Sequence, residues 1–236
     1  MNAGELGKTF DRDGYVVVED FFAPELMDRI DGVIRGYYGD NPDFWHNDEF
    51  LEKSYTEVVP WFPQREGNRD FDVIEQDERF QALSEAILGE GWTAQYCMVM
   101  FSKQGTSGQA WHQDCPPEDP ARHNLNRLVY TSDIVDEIGG QTVVVPGSHK
   151  QGELPAGDPV GEFEDQVVLR PRKGTLVILH GHTWHRVLPI TGAYRFSTNF
   201  RAAPAGTPDD VTDVCVYRNM RYRFSDSSVI EEREPR

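Results

Sequence analysis

Cysteine is scarce in this chain: Cys97, Cys115 and Cys215 are the only three among 236 residues. An odd count, no C-x-x-C pair and a chain of this length argue against a disulfide scaffold or a thiol redox motif. Cys115 follows Asp114 and reads as a small side chain beside it rather than as a nucleophile. Long apolar runs are missing too, and none approaches the roughly 18 residues that a membrane span requires. The N-terminus, Met-Asn-Ala-Gly-Glu-Leu, has neither the charged nor the apolar region of a secretory signal. A cytoplasmic protein with no membrane partner is therefore expected. Basic residues are in deficit, with 23 Lys and Arg against 40 Asp and Glu, a formal net charge of −17. Such a chain lacks the basic footprint of a nucleic-acid binder. Internal repeats, low-complexity tracts and composition shifts that would mark a second domain are absent as well.

What is present suits a packed enzyme-sized domain. Hydrophobic residues make up 38% and aromatics 11%. Residues 1–236 are expected to form a single domain with a core over about 90–202. Tyr15–Val18 reads as a short buried strand. Ala23–Tyr38 carries Leu26, Ile30, Val33 and Ile34 at helical spacing. Residues 41–70 hold Phe44, Trp45, Tyr55, Trp61 and Phe62 among prolines and charges without a clear period, which predicts an irregular lid. Asp72–Leu88 predicts a second helix stopped at Gly89. Beyond Trp92 the pattern becomes β-rich, with strands expected at 94–101, 125–134, 142–145, 166–169, 175–179 and 194–202. Short strands at this spacing predict a mainly β jelly roll with helices packed outside. The last dozen residues, 225–236, read as a frayed tail.

Two motifs carry the chemistry. In Trp111-His112-Gln113-Asp114 the period of two on a strand puts His112 and Asp114 on one face and Gln113 on the other. A His-X-Asp pair and one distant histidine can supply a two-histidine, one-carboxylate metal face with open positions. His180, His182 and His185 all stand in the segment that would provide that third ligand. The same period puts Arg195 and Ser197 on one face, a fork and a hydroxyl suited to a carboxylate. Arg201 shares that face and would brace the barrel end or touch substrate, while Arg186 would point away. Trp111 and Trp184 read as packing beside the ligands. His149 reads as a structural hydrogen-bonder and His182 as a residue behind the ligands or facing substrate, while His46 and His123 default to the surface or rim.

In order along the chain, His112-Gln113-Asp114, Gly139-Gly140-Gln141-Thr142, Pro146-Gly147-Ser148-His149, Gly174, His185 and Arg195 together resemble the phytanoyl-CoA dioxygenase family. The resemblance implies a double-stranded β-helix, cupin-like, with N-terminal helices outside. It implies an oxygenase that uses Fe(II), O2 and 2-oxoglutarate, hydroxylates a C–H of a small-molecule substrate, and releases succinate and CO2. It also selects His185 as the third ligand, eleven residues after Gly174, to join His112 and Asp114. The cosubstrate falls to Arg195, with Ser197 as helper and Thr142 as a further contact. Related halogenases carry Gly or Ala in place of the carboxylate, so Asp114 favours hydroxylation. The family's substrates are diverse, and the resemblance transfers none of them. Two other readings stand beside it: a zinc hydrolase on the same three ligands, and a barrel that binds without catalysing. For Tyr55, Trp61 and Phe62 three roles are open: a cage for a cationic amine, an apolar wall, or core of the rim.

Overall fold

The computed structural model describes residues 3–40, 42, 48–224 and 228–233. Its N-terminal part supplies α1 (Ala3–Asp13), β1 (Tyr15–Val18), α2 (Pro24–Tyr38), α3 (Asp48–Ser54), β2 (Val59–Trp61), α4 (Asp72–Glu75) and α5 (Glu78–Leu88). Helix α2 starts at a proline, whose missing N–H costs nothing in a first turn, and stops at Gly39 with φ +63°. Met27, Ile30 and Ile34 form its inward stripe and are fully buried. Each contributes about 1.5–3 kcal/mol by leaving water.

The strands that follow are β3 (Thr93–Lys103), β4 (Gln109–Gln113), β5 (Leu125–Val129), β6 (Thr142–Val144), β7 (Val167–Val168), β8 (Leu176–His180), β9 (His185–Val187), β10 (Tyr194–Ala203), β11 (Val214–Tyr217), β12 (Met220–Arg223) and β13 (Ser228–Glu232). They build two antiparallel sheets. One has six strands in the order β1-β8-β5-β10-β3-β2, and the other seven in the order β13-β12-β11-β4-β9-β6-β7. From Thr93 onward the chain crosses repeatedly from one sheet to the other, as in a jelly roll. The fold is the expected double-stranded β-helix with helices outside.

Strand β10 shows how the sequence builds both a core and a site. Phe196, Phe200 and Ala202 face the helices and join one cluster with Ile30, Ile34, Phe80 and Leu83. Arg195, Ser197, Asn199 and Arg201 alternate with them and face a cavity between the sheets. Behind the sheet, buried Arg127 of β5 donates to Glu75 at 2.8 and 3.1 Å, to Ser84 at 3.0 Å and to the Phe200 carbonyl at 2.9 Å. One side chain thus ties α4 and α5 to β10.

Four expectations need correction. The helix predicted over 72–88 is two helices, because Asp77 accepts from the backbone N–H of Arg79 (2.9 Å) and Phe80 (3.3 Å) and starts a new one. The segment 41–70 is less irregular than its composition predicts: it holds α3, β2 and a 3-10 turn over Pro63–Glu66, while Phe44, Trp45 and His46 lie outside the described residues. The tail is not simply frayed, since β13 pairs with β12 and Arg221 contacts Glu231 at 2.9 Å. The strand expected over 125–134 ends at Val129, where the chain leaves the sheet. Strands β11 and β12 lie beyond the expected core and complete the second sheet beside β4.

Candidate metal centre

His112 on β4 and His185 on β9 are direct partners in the antiparallel register, so the fold itself sets them side by side with ring centroids 4.1 Å apart. The Asp114 N–H donates to the Gly181 carbonyl at 2.8 Å, which continues the extended chain past β4 and keeps the carboxylate on the His112 face. The ligand-type atoms of His112, Asp114 and His185 all lie within 4.8 Å of one another, and all three residues are buried.

The imidazoles are oriented by their own backbones. His112 Nδ1–H donates to the Ala110 carbonyl at 2.8 Å, and His185 Nδ1–H to the Thr183 carbonyl at 2.9 Å. A carbonyl only accepts, so Nδ1 carries a proton, and in the neutral tautomer that this selects Nε2 keeps a lone pair on the Asp114 side. Burial, reinforced by the neighbouring His185, pushes the His112 pKa down to about 3 and keeps it neutral. For Asp114 burial pulls upward, but Arg201, with the two histidines and the Asn126 hydrogen bond, outweighs it and holds the carboxyl below its usual range. Two imidazole nitrogens and one carboxylate are the donor set of a divalent transition metal.

Asp114 is held at both oxygens. Arg201 Nη2 donates to Oδ1 at 2.7 Å and Asn126 Nδ2 to Oδ2 at 2.6 Å. Tyr217 of β11 stacks on His112, with centroids 5.2 Å apart and planes 20° apart. On the opposite face Gln113 donates to the carbonyls of His182 (2.8 Å) and Gly152 (3.1 Å). Trp111 and Trp184 pack there with Val143, Val145 and Leu154, in the supporting role expected of them. Arg186 lies on that side too, hydrogen-bonded to the Val160 carbonyl.

The same cavity, about 930 Å³, is lined by Thr142, Arg195 and Ser197 as well as by the triad. Arg195 is buried, has no carboxylate partner among the described residues, and leaves its Nε–H unpaired. Its Nη2 lies 3.4 Å from Thr142 Oγ1, which is 3.1 Å from the Tyr130 hydroxyl. Burial lowers its pKa, and Tyr130 opposes that shift. Gly140, with φ +70°, lies against the Arg195 stem: a Cβ there would collide with Cδ.

Other histidines form a second group away from the triad. His123 and His180 stack at 4.2 Å, His182 is 5.0 Å from His180, and His149 is 5.1 Å from it. His182 therefore faces neither ligand nor cavity, and His123 is half-buried against this group. His149 Nε2–H donates to the Asp11 carbonyl at 3.1 Å and is structural, as expected. The lid aromatics do not form a cage. Trp61 is buried in the core and stacked on Tyr37 at 3.9 Å, Tyr55 is exposed, and the Phe62 ring, at the cavity wall, is covered by Arg65 at 4.3 Å. Sequence reasoning missed Asn126, Asn199 and Tyr217. The period that marks Arg195 and Ser197 reaches Asn199, but no local signal marks Asn126 or Tyr217.

Fold and donor set define the class: a double-stranded β-helix built around a two-histidine, one-carboxylate triad. The family model described as phytanoyl-CoA dioxygenase matches residues 10–196, and the chain belongs to that family. Among curated proteins it is similar to the dioxygenase swnH2 of Arthroderma benhamiae, 24% identical over 76% of this chain and 54% of that protein. It is also similar to the dioxygenase hkm4 of Aspergillus hancockii, 23% identical over 76% of this chain and 63% of that protein. The chain thus spans between half and two thirds of the length of these relatives. Among solved structures, the non-haem α-ketoglutarate-dependent epimerase SnoN from nogalamycin biosynthesis superposes with a TM-score of 0.66 at 21% identity, over 92% of this chain and 85% of that one. HygX from Streptomyces hygroscopicus, solved with nickel, 2-oxoglutarate and hygromycin B, superposes with a TM-score of 0.65 at 16% identity, over 86% and 87%.

Proposed function

We propose that this chain is one Fe(II)- and 2-oxoglutarate-dependent oxygenase domain that hydroxylates a C–H of a small-molecule substrate. The observation that carries this reading is the meeting, in one cavity, of the His112–Asp114–His185 triad and a buried arginine without a carboxylate partner. His112, Asp114 and His185 would hold the metal through the two Nε2 lone pairs and one carboxylate oxygen. Iron held there with 2-oxoglutarate would supply the activation of O2, with succinate and CO2 as co-products. Arg195 would receive the distal carboxylate of 2-oxoglutarate, helped by the Ser197 and Thr142 hydroxyls. A buried anion needs such a charge-assisted fork to offset its desolvation. Met98, Met100, Leu128 and Leu179 line the same space and limit water beside the triad.

A zinc hydrolase would use the triad but leave Arg195 a buried charge with no partner. That cost favours the cosubstrate reading. Hydroxylation is the outcome proposed, although the similar SnoN is an epimerase. The substrate would meet a wall to which Phe50, Thr56, Val58 and Phe62 contribute on one side and Thr207, Asp209 and Thr212 on another. Adding Fe(II) and 2-oxoglutarate to the apoprotein without oxygen tests the reading. A weak visible band that requires both additions, followed by succinate release in air, is expected. No band together with tight Zn2+ binding would replace it by the hydrolase.

A further inference from the structure

Asp114 is gripped by a pair of residues that the fold holds in direct opposition. Asn126 of β5 and Arg201 of β10 are partners in the antiparallel register, and each reaches a different oxygen of the one carboxylate. The amide of Asn126 is oriented by its neighbour: Asn199 Nδ2 donates to Asn126 Oδ1 at 2.7 Å, which leaves the Asn126 N–H groups for Asp114. All four residues line the cavity and are buried. A buried ion pair is a poor way to gain stability, because two apolar side chains of similar size serve the fold as well or better. The expense of placing a guanidinium here is understandable if Asp114 itself has to be fixed.

We infer that Arg201 and Asn126 act as a two-point receptor for the Asp114 carboxylate and are positioning residues of the metal centre. The inference rests on the metal reading proposed above. With both oxygens already accepting a hydrogen bond, the plane of the carboxylate is set before a cation arrives. Arg201 also offsets the carboxylate's charge inside the cavity. Neither residue touches the metal or the reacting atoms; both act through Asp114. The receptor consists of donors only, a fork and an amide. Its preference for a small carboxylate therefore persists when that carboxylate is not covalently attached.

That persistence is what the experiment reads. Asp114→Gly removes a CH2–COO− group and leaves Arg201 and Asn126 facing the gap. Co2+ binding to the full chain is measured by calorimetry in rising sodium formate, with sodium perchlorate as the ionic-strength control. The native protein is expected to bind Co2+ with no formate dependence, and Asp114→Gly to bind about 10–100-fold more weakly, or worse. Formate should recover at least about tenfold of that loss in Asp114→Gly but none in Asp114→Gly/Arg201→Gln, since a receptor without its fork loses its charge-assisted bonds. Equal recovery in the double variant would overturn the inference, because formate would then be binding from solution without the receptor. If the Arg201 variant fails to fold, Asp114→Gly/Asn126→Ser puts the same question, with the same two outcomes. A native protein that binds no Co2+ would sink the metal reading, and the receptor role with it. Native binding with no formate recovery in Asp114→Gly would sink the receptor role alone.

Discussion

His112 and His185 stand opposite each other across one antiparallel pair, each tethered by Nδ1 to the carbonyl two residues before it. The two imidazoles are thus fixed by the ladder and by local backbone, before any ligand is considered. The arrangement separates His185 from the other histidines of its segment. His185→Ala should lose metal binding. His182→Ala should keep it and lose thermal stability instead, since His182 packs among His123 and His180. Calorimetric metal titration alongside thermal unfolding checks both, and metal loss in the His182 variant would reverse the assignment.

Arg195 carries the proposed cosubstrate contact. Arg195→Leu should weaken 2-oxoglutarate binding by about 2–5 kcal/mol, the range for losing one partner of a buried charge pair. Metal binding should change little, because the triad is untouched. Titrating 2-oxoglutarate into the metal-loaded variant decides the matter, and an unchanged affinity would remove Arg195 from that role.

Gly140 offers a subtler test of the same contact. Gly140→Ala places a methyl against the Arg195 stem at φ +70° and should raise the KM for 2-oxoglutarate more than it lowers kcat. Gly152 also has a positive φ, +80°, but nothing stands within 4 Å of its would-be Cβ. Gly152→Ala should therefore show only the stability cost of a strained backbone, about 1 kcal/mol or more. Equal effects on KM in the two variants would break the link between Gly140 and the arginine.

Acid should destabilise the protein through the second histidine group. Burial, and then the mutual proximity of the rings, pushes His180 down and His182 down to about 4; burial also lowers His123 and His149. These folded-state values lie below the ordinary histidine value of about 6.5, so the unfolded chain takes up protons first. The stability is fully present above about pH 6.5. It falls as the pH drops toward 4, by up to about 1.4 kcal/mol per pH unit for each such histidine. Urea unfolding midpoints from pH 8 to 4.5 should show this slope, and His182→Gln should flatten it. An identical slope in that variant would place the acid sensitivity elsewhere.

The parts of the molecule legible from sequence are those governed by local period and turn chemistry. The face shared by Arg195 and Ser197, the strand at Tyr15, the helix ending at Tyr38 and the stop at Gly89 follow from alternation, spacing and a glycine stop. Asn126 and Tyr217 reach the triad only through cross-strand pairing, β5 with β10 and β11 with β4, and nothing in their own neighbourhoods announces it. The break at Asp77 was hidden because the apolar spacing on its two sides is compatible with one continuous helix. The roles of the lid aromatics stay open at the level of sequence for a related reason. Composition shows that Trp61 and Phe62 are large and apolar, but the pairing of β2 with β3 decides which of them faces the cavity.

The register of β10 against β3 shifts between Arg201 and Ala202. Every cavity-facing residue of β10 lies upstream of that irregularity, and the Thr207–Asp213 stretch of the cavity wall lies downstream. Chain added or removed after Ala203 leaves the indexing of Arg195, Ser197, Asn199 and Arg201 as it was. The rim can thus be lengthened, shortened or recut while the row behind it keeps its place, so the outer wall of the cavity is free to diverge independently of the strand that carries Arg195 and Arg201.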